Sequence, residues 1–216
     1  SKYLKKGNNW IDYIMADAHE DFPTYPLEYG VPGNLSILNF PEISMWGLAP
    51  WGGFGANPLP KRFERLWNQV KHILSGGFAY SEGIFEDINK IVVTQLYWED
   101  RSWVDIMNEY ISYEYSPYVI DEVLEIIELI EKTHTEVAKG KKVDVADLQK
   151  AYALAEKVDT VLPDWSKQSW RWRILYLRTL LDFERYHMAA KSQWLLKGDW
   201  SWAKALKGNE IAQCAF

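Results

Sequence analysis

GGFAYSEGIFEDINK, residues 76–90, holds in order a glycine pair, a short apolar-aromatic run, an acidic turn centred on Glu82 and the start of an amphipathic helix. A strand, a carboxylate-bearing loop and a helix in that order present a charged side chain at the carboxyl end of a strand, where sites in α/β folds collect. Gly76 and Gly77 are expected to break a preceding helix after Ser75, Phe78 to Tyr80 to form a buried strand, and Gly83 to free the turn into Ile84.

Upstream, the run from Trp10 to Ala16 is expected to form another buried strand, with Asp17, His19, Glu20 and Asp21 at its far end. Pro23, Pro26, Pro32, Gly30 and Gly33 then predict a long loop without regular structure over 22–34. Leu35 to Phe40 is a second apolar strand, ending in Pro41 and Glu42. In the stretch after it Trp46, Trp51 and Phe54 alternate with glycines that let a backbone approach a ligand closely. Pro60 opens a helix whose apolar face is Phe63, Leu66, Trp67, Val70, Ile73 and Leu74.

From Ile84 onward the pattern is helical nearly to the end. Helices are expected over 84–98, from a Ser102 cap with Asp105 at its third position, from Ser116-Pro117 to Gly140, from an Asp144 cap to before Pro163, and from Ser166 to about Leu196. His72, His134 and His187 fall on these helices and read as surface or cap residues. The fold class is mainly α with a small parallel β part. A change of composition near residue 100 divides it into 1–100 and 101–216.

With 216 residues the chain can bury a substantial core. It is too short for a complete eight-stranded barrel plus a helical appendage, since the barrel alone takes about 250 residues. The net charge is -6 with no concentration of Lys or Arg, which argues against a nucleic-acid partner. No apolar run is long enough to cross a bilayer, and the single Cys214 excludes an internal disulfide. G-x-S-x-G, G-x-G-x-x-G and G-x-x-x-x-G-K-[ST] are all absent, so no cofactor is expected. Twelve Trp and 13 Tyr supply the aromatic faces that cores, interfaces and sugar clefts all use.

Each of the three strand candidates ends in acid. If the strands are parallel, Asp17 to Asp21, Glu42 and Glu82 ring one cleft, and paired carboxylates are what glycoside hydrolysis needs. Any one of these acids could equally cap a helix or form a rim salt bridge. Glu42 and Glu82 are the candidate catalytic residues; Asp17, His19 and Glu20 suit recognition of hydroxyls, and Trp46, Trp51 and Tyr80 suit sugar faces. Asp17, His19 and Asp21 alternate as metal ligands can, but a remote ligand would be needed, and no metal is assigned.

Four strings, PLEYGVPGNLSILNFPEISMWG (26–47), WGGFGANPLPKRFERLW (51–67), the opening stretch and W-x-x-I-M-x-E-Y-I-x-Y-E-Y (103–115), resemble the C-terminal part of bacterial glycoside-hydrolase-like proteins. Those proteins are similar to α-glucuronidases and hexosaminidase-type enzymes in having a (β/α)8 barrel followed by a helical domain. The resemblance implies that residues 10–98 are the last strands of a (β/α) barrel, that the substrate is an oligo- or polysaccharide, and that the setting is periplasmic or extracellular. A non-catalytic carbohydrate-binding or assembly module is the alternative. Because the strands read as apolar on both faces, the barrel-facing side and at least one edge are expected to lack partners. The chain alone is then expected to be inactive, and to self-associate or to need a missing N-terminal segment.

Overall fold

A computed structural model of the chain describes residues 10–44, 56–81 and 86–191, with side chains to residue 186. Among the described residues the protein is mainly helical, with one three-stranded parallel sheet and no closed barrel. The elements run β1 (Tyr13–Ala18), α1 (Thr24–Tyr29), a 3-10 turn (Pro32–Asn34), β2 (Ser36–Pro41), α2 (Pro60–Val70), β3 (Leu74–Gly77), α3 (Asp87–Trp98), α4 (Trp103–Glu114), α5 (Ile120–Ala138), α6 (Val145–Val161), α7 (Asp164–Lys167) and α8 (Trp170–Lys191). Glu82, Trp46 and Trp51 lie outside the described residues, as does the expected extension of the last helix to Leu196.

The sheet order is β1-β2-β3. β1 and β2 pair without interruption from Tyr13 opposite Ser36 to Ala18 opposite Pro41. Alternation then separates two faces. Ala16, Ala18 and Ile37 are buried with Phe22 and Val70, so α2 covers that side. Tyr13, Met15 and Phe78 stand on the other side, each more than half exposed. On that second face Ser36, Leu38 and Phe40 of β2 are half-buried.

Several expectations shift. β1 begins at Tyr13, and Trp10 is exposed rather than part of a buried strand. The proline-rich stretch contains α1, because Pro26 sits in the first turn, where its missing N–H has no helical partner to lose. α2 stops at Val70, and Leu74 to Gly77 is strand rather than helix end. The glycine pair is a strand feature: a Cβ on Gly77 would stand 2.5 Å from the Asn39 carbonyl oxygen and 2.8 Å from the Tyr97 hydroxyl. Phe78 to Tyr80 continues the ladder in broken form, through Phe78 N–H to Asn39 O at 3.0 Å and Tyr80 N–H to Pro41 O at 2.8 Å.

In the helical part the Ser102 hydroxyl accepts from the Asp105 N–H, and the Asp144 carboxylate from the Ala146 N–H, as expected of caps. α5 starts at Ile120, because Ser116 and Pro117 form a turn in which the Ser116 hydroxyl accepts from the Tyr118 N–H. It ends on Gly140 at φ 64°, with Gly140 N–H bonded to Val137 O and Lys141 N–H to Glu136 O. That paired closure needs a left-handed residue. The last helix is broken, α7 being separate from α8. His134 is buried on α5 instead of surface-exposed. One hydrophobic cluster runs from Ile43 through α2, α3, α4, α5 and α6 to Leu175 on α8.

Candidate functional site

Parallel pairing carries the strand ends to one rim. Asp17 lies opposite Phe40 across β1 and β2, and Glu42 bridges Tyr80. Above this backbone the rings of His19, Phe40 and Tyr80 meet: His19 is 5.8 Å from Tyr80 and 6.2 Å from Phe40, and Phe40 is 5.4 Å from Tyr80. Phe78 adds an edge-on contact with Phe40 at 5.7 Å. Of the candidates named from sequence, the structure thus joins Asp17, His19, Tyr80 and the backbone of Glu42.

Asp17 fixes the imidazole. Its Oδ1 accepts from the His19 N–H at 3.0 Å and also contacts His19 Nδ1. An ionised carboxylate only accepts, so Nδ1 carries a proton, and in the neutral ring Nε2 keeps the lone pair. The His19 hydrogen bond in turn holds the Asp17 carboxyl below the usual aspartate value. Both side chains are open to solvent.

Glu42 and Glu20 have different surroundings. The Glu42 carboxylate is enclosed, with the residue 2% exposed, and its Oε1 accepts from the Ser44 N–H and, at 2.7 Å, from the Ser44 hydroxyl. Glu20 is exposed and lines a separate cleft of about 640 Å³ between the end of β1, α2 and α5, together with Lys61, Arg65, Glu131 and Lys139. Among the described residues no group of three or more metal-ligating side chains converges.

Sequence reasoning missed three buried polar residues that hold this region. Arg62 on α2 reaches the carbonyls of His19, Glu20 and Glu42. Asn89 on α3 donates from Nδ2 to Ile43 O at 2.8 Å and Asn57 O at 2.7 Å, while its Oδ1 accepts from the Leu59 N–H at 2.8 Å. Glu131 on α5 accepts from the N–H groups of Lys61 and Arg62, capping α2 from a distance. The signal was positional: Arg62 shares a stripe with Leu66 and Val70, Asn89 with Val92 and Val93, and Glu131 with Ile127 and Ile130. A polar residue on an apolar stripe must find partners inside the protein. Phe40 and Phe78 were read as strand core, and they are instead the aromatic part of the rim.

Farther round, Ser81 Oγ donates to the Glu86 carboxylate, which also pairs with Lys90 at 3.0 Å, so a buried acid marks the approach to α3. No protein-family model matches the chain, and neither does any curated protein or solved structure.

Proposed function

We propose that the chain contributes one wall of a carbohydrate cleft, as the C-terminal portion of a glycoside-hydrolysing protein. The observation behind this reading is the strand-end rim itself, where the His19, Phe40 and Tyr80 rings pack beside the Asp17 carboxylate at the carboxyl ends of parallel strands. Sugars present apolar C–H faces and a fringe of hydroxyls, so an aromatic surface edged by a carboxylate and an oriented imidazole suits both parts. In this reading Asp17, His19 and Glu20 meet hydroxyls, Trp46, Trp51 and Tyr80 stack on rings, and Glu42 and Glu82 supply the catalytic carboxylates.

Among the described residues, the exposed Tyr13, Met15 and Phe78 and the outer edges of β1 and β3 support a cleft that further strands complete, from an N-terminal segment or a second copy. A second reading, a non-catalytic binding module, is favoured by the enclosure of Glu42, whose carboxylate is tied to Ser44.

Titrating the chain with a panel of neutral and acidic oligosaccharides, while following the His19 and Tyr80 ring resonances, tests both. Binding that Phe40→Ala weakens about tenfold, a loss of about 1.4 kcal/mol, supports the aromatic wall. Turnover of aryl glycosides by a monomeric chain would show that the site is complete within these residues and overturn the one-wall reading. Absence of any binding across the panel would overturn the carbohydrate reading.

A further inference from the structure

Arg62 belongs to the first turn of α2, yet its guanidinium is turned into the protein and the residue is 5% exposed. Nη2 donates to His19 O at 2.6 Å and Glu20 O at 3.2 Å, and Nη1 donates to Glu42 O at 3.2 Å. These carbonyls belong to two different chain segments, the ends of β1 and β2. A planar fork with donors on separate nitrogens fixes the spacing of the two, whereas a lysine ammonium offers one point of charge on a flexible stem.

The fork is itself held. Glu131 accepts from the Arg62 N–H at 2.7 Å and from the Lys61 N–H at 3.0 Å, so α5 grips the turn that carries the guanidinium. The charge persists at neutral pH: burial pulls the guanidinium down only to about 10, with Glu42, Asp21 and Glu131 offsetting part of that effect.

We propose that Arg62 is the positioning residue of the strand-end site, setting the separation of the His19 and Glu42 segments, and that Glu131 ties this setting to the helical part. The role of the site rests on the carbohydrate reading above; the positioning itself does not. Arg62 meets the two segments through their backbone carbonyls.

The test compares Arg62→Lys and Glu131→Gln with the wild-type chain by site-resolved amide exchange and by the His19 imidazole resonances. In Arg62→Lys, amides 17–21 and 42–44 should exchange about tenfold faster, with a shifted His19 signal, while α5 and α6 keep their wild-type rates. Glu131→Gln should give the same local pattern at smaller amplitude. Unchanged strand-end exchange overturns the proposal. So does a variant that fails to fold, or one whose acceleration spreads equally through α5 and α6, because either assigns Arg62 to global stability. Glycan titration of the wild-type chain is read separately, so a chain that binds no sugar removes the functional reading and leaves the exchange result standing.

Discussion

The sheet and the helices are built on different terms. The helices share one continuous apolar cluster from Ile43 to Leu175, whereas among the described residues the sheet's Ala16, Ala18 and Ile37 are buried with only Phe22 and Val70, and Tyr13 and Met15 on its other face are more than half exposed. Stability scales with apolar surface removed from water, so the helices carry the fold and the sheet depends on them. α2 joins the two, with Val70 in the small cluster and Phe63 and Leu66 in the large one. The lesson concerns division of labour: the half with least core is the half that presents side chains at a rim.

The sharpest way to break this contrast is to open a hole in the large cluster. Ile127 is fully buried, so Ile127→Ala should cost about 4 kcal/mol and lower the unfolding midpoint of both halves together in denaturant titrations followed by amide exchange. If the sheet kept its protection while the helices melted, its dependence on them would be disproved.

A smaller effect is expected from pH. Burial is the main influence on Glu131 and raises its carboxyl from 4.5 to about 7, despite the N–H groups of Arg62 and Lys61. The folded chain therefore holds a proton that the unfolded chain has released. This contribution is complete below pH 4.5, falls as pH rises towards 7 and is flat above that. Its span is on the order of 3 kcal/mol. Subtracting the stability–pH curve of Glu131→Gln from that of the wild-type chain should reveal that fall, and parallel curves would show that Glu131 does not titrate in this window.

The smallest effect falls on the sheet alone. Gly77→Ala sets a Cβ against the Asn39 carbonyl and the Tyr97 hydroxyl, and should cost about 2 kcal/mol while loosening β3 from β2. Calorimetry gives the size, and exchange at residues 74–80 gives the place. A loss spread evenly over α5 and α6 would mean that sheet and helices are one cooperative unit.

Local chemistry was legible in the sequence where the partner lies a few residues away. Ser102, Asp144 and Gly140 were read correctly because a cap is closed by its own neighbours. The glycine pair misled because its reason is remote: Gly77 admits the β2 backbone and Tyr97 while Gly76 takes a positive φ in the strand, and no local pattern distinguishes that from a helix stop. The rim was half legible. Asp17, His19 and Tyr80 follow from acids and aromatics at strand ends, but the exposure of Phe78 depends on which side α2 packs. Arg62, Asn89 and Glu131 have partners 20 to 70 residues away, beyond the reach of periodicity.

Asn89 also bears on how this protein can change. One amide nitrogen holds the carbonyls of both Ile43 and Asn57, so these two points of the chain stand within two hydrogen-bond lengths of each other. Whatever lies between them starts and finishes at a fixed gate. Lengthening a segment whose two ends are pinned in this way costs little, because closure entropy grows only with the logarithm of its length. Any insertion is expected to be borne between Ser44 and Ala56 rather than at them, since Ser44 is tied to the Glu42 carboxylate and Ala56 sits in the large cluster.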